Sequence, residues 1–197
     1  PQKDHFRGFL QLLDQYQVGV FLVSRKDVAG SSDWEELQRK LQEKGIPMLV
    51  VGAGDMLQYR GQYVAILSPD SVLRTSGDPN DASIVARVHL GAFRALLTGD
   101  IASNVEQYLA AKQKDSLRAE VLKVAHHGSK FSSSRAFLQL VHPSIAVISV
   151  GRNSYGHPHR EALARIKEYA PMLVRTDERG MVRIMQDGDR IRVLTEY

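Results

Sequence analysis

Five of the seven histidines in this chain crowd into three short segments: Asp4-His5, His126-His127-Gly128-Ser129 and Tyr155-Gly156-His157-Pro158-His159. Two further segments, Asn80-Asp81 and Thr98-Gly99-Asp100, add carboxylates without an imidazole. The chain has no cysteine, which excludes a disulfide frame, a thiolate zinc site, an iron–sulfur cluster and a cysteine nucleophile. Imidazole and carboxylate are the donors such a chain offers to Zn²⁺ or Mn²⁺, and a loop-borne aspartate has the reach to bridge two ions. Each segment also has a structural reading. Asp4 is a candidate helix cap, and Gly99-Asp100 a turn entering a helix. His126-His127 follows an apolar strand, so the two rings should point to opposite faces, and a core histidine fits as well as a ligand. Ser129 and Ser132 to Ser134 can cap the next helix, or hold a phosphate with the same amides and hydroxyls. His159 reads as the cap of a helix, while His89 and His142 carry only a structural reading.

The loops matter because rigid elements must bring them together. Phe6, Phe9, Leu10 and Leu13 predict a short amphipathic helix to about Tyr16, followed by a buried strand over Val18 to Val23. A helix capped by Asp33 runs through Trp34, Leu37 and Leu41 to Gly45, and leads into a strand over Ile46 to Val51. From Met56 the pattern changes to hairpins: Leu57 to Tyr59, a Gly61-Gln62 turn, Tyr63 to Leu67, then Ala82 to Leu90 returning through Gly91-Ala92 as Phe93 to Leu97. Helices then alternate with strands again: Ser103 to Lys112, Val121 to Ala125, Ser133 to Val141, Ile145 to Val150 and Arg160 to Tyr169. Three short strands close the chain, over Met172 to Arg175, Val182 to Met185 and Ile191 to Leu194, the last two joined by Asp187-Gly188-Asp189. This order predicts a layered α/β fold with a mixed sheet, whose polar loops gather past the strand ends.

The 197 residues, 43% of them hydrophobic, are enough for one ordinary globular domain. The longest apolar runs, such as Met48 to Val51, fall far short of the roughly 20 residues a spanning helix needs. Residues Pro1 to Arg7 are charged and do not read as a signal peptide. A net charge of +4 and a pI near 9.4 are compatible with a polyanionic partner, although the charges are scattered.

Three motifs in order give the chain a relative. Leu96-Leu97-Thr98-Gly99-Asp100, Leu122-Lys123-Val124-Ala125-His126-His127-Gly128-Ser129-Lys130 and Ile148 to His159 closely resemble the C-terminal metallo-β-lactamase-like domain of the ComEC family of competence DNA-uptake channels. Thr176 to Gly180 fits that domain's closing turn. The resemblance implies an αββα sandwich over residues 1–197, lacking its N-terminal strands, as a fragment of a longer chain would, with a self-association surface where those strands would lie. It aligns Pro1 to His5 with a His-x-His-x-Asp-His loop, in which the first histidine falls before Pro1 and Gln2 replaces the second. It implies metal ligation by Asp4, His5, Asp100 and His157, with Asp100 bridging, and leaves the intermediate histidine without a counterpart near Asn80-Asp81. His126 and His127 become proton-transfer residues, catalytic together with Asp100. Ser129, Lys130, Arg152 and Asn153 become substrate contacts.

The activity so implied is hydrolysis of a nucleic-acid phosphodiester with one or two Zn²⁺ or Mn²⁺ ions, in a domain of a bacterial inner-membrane protein that degrades the non-transforming strand. DNA, single or double and read without sequence preference, and the rest of a channel polypeptide are the implied partners. The same scaffold also serves acyl chemistry on β-lactams and thioesters. Gln2 and the missing histidine favour another alternative, a degenerate non-catalytic module that binds DNA or a protein; a purely structural module of the membrane protein is the last.

Overall fold

A computed structural model describes residues 2–26, 31–91, 93–188 and 190–197. Pro1 and two expected turn residues, Ala92 and Asp189, lie outside the described residues.

Helices α1 (Lys3–Phe6) and α2 (Phe9–Gln15) divide the segment expected as one helix, parting at Arg7-Gly8. Strand β1 (Phe21–Val23) pairs in parallel with β2 (Met48–Val50) across helix α3 (Ser32–Glu43). The cap of α3 is Ser31 and not Asp33: the Ser31 Oγ accepts the Trp34 N–H at 3.3 Å, and Asp33 sits in the first turn. Trp34, Leu37 and Leu41 recur at helical spacing and bury one face of α3 against Phe6, Leu13 and Phe21.

Seven strands form the main sheet in chain order: β3 (Met56–Tyr59), β4 (Gln62–Ser68), β5 (Val85–Leu90), β6 (Phe93–Leu97), β7 (Val121–Lys123), β8 (Ile145–Ile148) and β9 (Met172–Arg175). Pairing is antiparallel from β3 to β6 and parallel from β6 to β9. The β3–β4 turn is Arg60-Gly61, both at positive φ, as a two-residue hairpin demands. Strand β5 begins at Val85, later than its alternation predicts, because Pro79–Ala82 coils into a 3₁₀ turn with Pro79 at its start. Helix α4 (Ser71–Arg74), capped by Asp70, occupies what reads as a polar loop.

Alternate residues of the sheet face opposite layers, as the pleat requires. Val85, Leu96, Leu122, Ala146 and Ile148 pack against α5 (Ser103–Gln113), α6 (Arg135–Val141) and α7 (Arg160–Tyr169). On the other face Ile66 and Ala86 meet Leu22 of β1 and Val51, which directly follows β2. Further along that face Phe93, Val121 and Ile145 are covered by a hairpin of β10 (Val182–Asp187) and β11 (Arg190–Thr195). Helices, sheet, sheet and helices thus stack in the order of an αββα sandwich. Thr176 to Gly180, expected as a turn, forms the short helix α8 (Thr176–Arg179).

Parallel strands β6, β7 and β8 all end on one edge, and the loops beyond them carry most of the chemistry-bearing residues. One buried acid braces that region. Glu106 of α5 is fully enclosed, and its carboxylate accepts the N–H groups of Ser133 (2.5 Å) and Ser134 (2.8 Å). Burial pushes its carboxyl up, against the pull of these hydrogen bonds. Arg165 of α7 donates to the carbonyls of Ser133, Ser132 and Lys130. The loop after His126-His127 is therefore held from both sides.

Candidate metal centre

The centre is built around the turn that ends β6. Gly99 has φ +54°, and a Cβ there would meet Ser83 Cβ at 2.8 Å, so only glycine sits in the turn without strain. Its carbonyl accepts from His126 N (3.1 Å) and from Lys123 Nζ (3.2 Å), while Thr98 Oγ1 donates to the Lys123 carbonyl (2.7 Å). The Ser83 hydroxyl accepts the Asp100 N–H at 3.2 Å. These contacts aim a carboxylate that is only 3% exposed.

Three groups converge on Asp100 Oδ2. His5 Nε2 lies 2.8 Å from it and His127 Nε2 3.4 Å, and Asp4 Oδ2 stands 3.7 Å from His5 Nε2 and 3.6 Å from His127 Nε2. One donor atom from each of Asp4, His5, Asp100 and His127 falls within 4.8 Å of every other. Burial would raise the Asp100 carboxyl, but hydrogen bonds from His127 and His5 outweigh it and hold the group well below the usual carboxylate range. The same contact to Asp100 raises His127, against its burial.

The His127 ring shows that this set fits a cation. Its Nδ1 lies 2.7 Å from the Ser149 carbonyl, so that nitrogen carries the proton and donates it. With Nδ1 committed to that carbonyl, Nε2 is the nitrogen left to face the Asp100 and Asp4 oxygens, whose negative charge is balanced either by a proton on Nε2 or by a cation held among them. His127 Nε2 and Asp100 Oδ1 are both buried without a hydrogen-bond partner among the described residues. A carbonyl behind a ligating imidazole is the usual support of a metal-binding histidine.

His126 and His127 do not alternate as strand residues would. Both backbones are left-handed, at φ +49° and +52°, in a 3₁₀ turn after β7, so the pleat rule stops applying before it reaches them. Asp4 caps nothing; Gln2 holds the cap position of α1, and Asp4 lies in the first turn. His157 lines the same cavity of about 970 Å³ as Asp4, Asp100, His126 and His127, and its ring packs against His126 with centroids 5.6 Å apart. It is not one of the four converging donors. Burial, with His126 and His127 nearby, lowers its pKa.

The expected substrate contacts divide. Arg152 is exposed on the cavity wall. Asn153 spends its amide on its own loop, accepting from Tyr155 N and His157 N and donating to the Gly151 and His157 carbonyls. Ser129 is buried, and its hydroxyl accepts the Phe131 N–H. Lys130 Nζ lies over the Phe131 ring, 5.0 Å from its centroid, outside the residues lining the cavity. His159 does cap α7, accepting the Glu161 N–H. Gln2 and Asn80, where the resemblance expects histidine chemistry, bond to each other: Gln2 Nε2 donates to Asn80 Oδ1 at 3.0 Å. Asp81 is occupied by Ser76 and Asn104.

Two residues escape the sequence reading. Lys123 ends β7 with Nζ 3.9 Å from Asp100 Oδ1, and burial lowers its pKa. Its place in Leu122-Lys123-Val124 was legible, but an apolar strand gives no sign that its lysine turns inward. Tyr155 stands 81% exposed on the cavity wall.

The chain is 32% identical over 181 residues to ComE operon protein 3 of Bacillus subtilis, an alignment covering 91% of this chain and 23% of that protein. It is 37% identical over 142 residues to Recombination protein 2 of Haemophilus influenzae (72% and 17% covered) and 36% over 141 to Competence protein ComA of Neisseria gonorrhoeae (69% and 20%). The chain spans about a fifth of the length of these curated relatives. Among solved structures, the metallo-beta-lactamase fold protein YhfI of Bacillus subtilis aligns with a TM-score of 0.47 at 12% identity, over 88% of this chain and 70% of that one. Among the described residues no helix is long and apolar enough to cross a membrane. Residues 4–152 match the family description outright, and the chain belongs to the metallo-beta-lactamase superfamily.

Proposed function

We propose that this chain is a metal-dependent phosphodiesterase domain that cleaves nucleic acid. The observation that carries the reading is the convergence of Asp4, His5, Asp100 and His127 at one wall of a cavity that Lys3, Arg7 and Arg152 also line. A divalent ion such as Zn²⁺ or Mn²⁺, when bound by those four side chains, supplies a water of lowered pKa and positive charge against the phosphate. The remaining work falls to the protein. Arg152 and Arg7 neutralise the phosphates that enter, whatever their sequence, while Lys3 is held by Asp33 at 2.6 Å. Ser149 and the Thr98–Lys123 clasp keep His127 and Asp100 aimed. His126 and His157 line the cavity, placed to hold a proton for the leaving oxygen. The names of the relatives, a recombination protein and competence proteins, support DNA as the polyanion and strand degradation during uptake as the setting. In that setting the chain is one domain of a longer inner-membrane polypeptide.

The Gln2–Asn80 hydrogen bond favours a second reading, a non-catalytic module that binds DNA through the same basic wall. Metal analysis followed by a nuclease assay with added Mn²⁺ or Zn²⁺ separates the two. The catalytic reading predicts bound metal, cleavage that chelator abolishes, and an Asp100→Ala variant that folds, loses metal and does not cleave. Cleavage that persists in chelator would refute it. A metal-free, inactive protein that retains DNA affinity would establish the binding module.

A further inference from the structure

Five aromatic rings run in a row from solvent to the metal centre. Tyr155 and His157 have centroids 6.0 Å apart and planes 22° apart; His157 and His126 follow at 5.6 Å, His126 and His127 at 6.4 Å, and His127 and His5 at 5.4 Å. Tyr155, at the outer end, rests one face toward His157 and leaves the rest of its ring open, 81% exposed on the cavity wall. The ring is presented by a loop already fixed in shape. The Asn153 amide makes four hydrogen bonds within residues 151–157, so little ordering remains for a ligand to impose. Arg152, three residues away, forms no side-chain hydrogen bond or ion pair among the described residues, and lines the same wall.

We infer that Tyr155 is a stacking platform for an unpaired nucleobase, and that the strand entering the site is single. The inference rests on the nucleic-acid reading above and narrows it. A base within a duplex has both faces covered by its neighbours, and only an unstacked base offers a face to a side chain. A base on Tyr155 sets its phosphates along the wall where Arg152 stands, with the imidazole row leading to the centre. Aromatic stacking tolerates any base, which suits binding without sequence preference.

The test measures affinity in chelator, where cleavage cannot confuse it. Fluorescence anisotropy compares a short oligothymidylate with a duplex of equal length, on the full chain and on Tyr155→Ala and Tyr155→Phe. The expected result is tighter binding of the single strand, a loss of roughly 10-fold or more for Tyr155→Ala, and a change within about 2-fold for Tyr155→Phe. Circular dichroism checks the fold, which an exposed ring does not hold together. Equal single-strand affinity in Tyr155→Ala and the parent chain, or an equal loss for duplex, would overturn the inference. If no metal restores cleavage while Tyr155→Ala still weakens single-strand binding, the hydrolytic reading falls and the platform stands. If cleavage occurs but Tyr155→Ala leaves affinity and KM unchanged, the platform alone falls.

Discussion

Replacing Gly99 by alanine should disable the centre without removing any of its donor atoms. The backbone has φ +54°, and the new Cβ would stand 2.8 Å from Ser83 Cβ, 3.1 Å from Ser83 Oγ and 3.3 Å from the Ile84 carbonyl. Holding an L-residue in the left-handed region costs roughly 1–2 kcal/mol. Relief of the contact moves Ser83, whose hydroxyl accepts the Asp100 N–H, and losing that bond in a buried turn adds about 1 kcal/mol. The total, about 2–3 kcal/mol, corresponds to a fall of roughly 4–12 °C in Tm for a chain of this size. A shift of a few tenths of an ångström in Asp100 exceeds what metal–ligand bonds tolerate, so Mn²⁺ affinity should drop about 10-fold or more. Scanning calorimetry and titration calorimetry with Mn²⁺ read the two effects. Gly8→Ala is the matched control: Gly8 is helical at φ −59° with nothing within 4 Å of an added Cβ. It should stabilise by about 0.5 kcal/mol and leave metal binding alone. Should Gly99→Ala melt within about 1 °C of the parent and bind Mn²⁺ equally well, the turn does not set the carboxylate and the reasoning fails.

Two further outcomes follow from charges elsewhere in the fold. Burial would raise Asp70, but the Tyr108 hydroxyl at 2.5 Å, the Leu73 N–H and Lys112 lower it from 3.8 to about 2. A depressed carboxyl stabilises the fold above its ordinary value and loses that contribution as pH falls through its folded one. Asp70→Asn should therefore cost about 1 kcal/mol at neutral pH, after allowing for solvent screening, with the difference closing between pH 3.8 and about 2 in urea melts. Arg152→Ala should weaken DNA binding and lower the slope of log Kd against log salt by about 1; an unchanged slope would remove Arg152 from the phosphate path.

Local patterns predicted much of the architecture, and they failed where a side chain or a turn overrode them. Helix α7 and strands β6 and β9 appear within a residue of their predicted bounds, because strong periodicity meets clear stops at both ends. The cap of α3 moved from Asp33 to Ser31, since both residue types can cap a helix and only the backbone decides between them. The division of the first helix at Arg7-Gly8 has no hydrophobic signal, as Phe6, Phe9, Leu10 and Leu13 keep their spacing across it. For His126-His127 the strand ended earlier than its apolar run, and the left-handed turn that replaced it set both ring directions.

The choice of donors was written into the composition, since a chain without cysteine but with histidine beside aspartate in three loops can offer a cation only nitrogen and oxygen. The order of helices and hairpins likewise followed from periodicity, which reports each element's own burial. Which donors meet could not follow, because Asp4, His5, Asp100 and His127 span well over half the chain and come together only when β6 and β7 lie side by side beneath the first helix. That placement drew His127 into the cluster, stood His157 beside His126, and left Tyr155 facing solvent. Sequence spacing carries no information on such contacts, since they depend on how layers pack and turns aim, and packing is a property of the whole molecule.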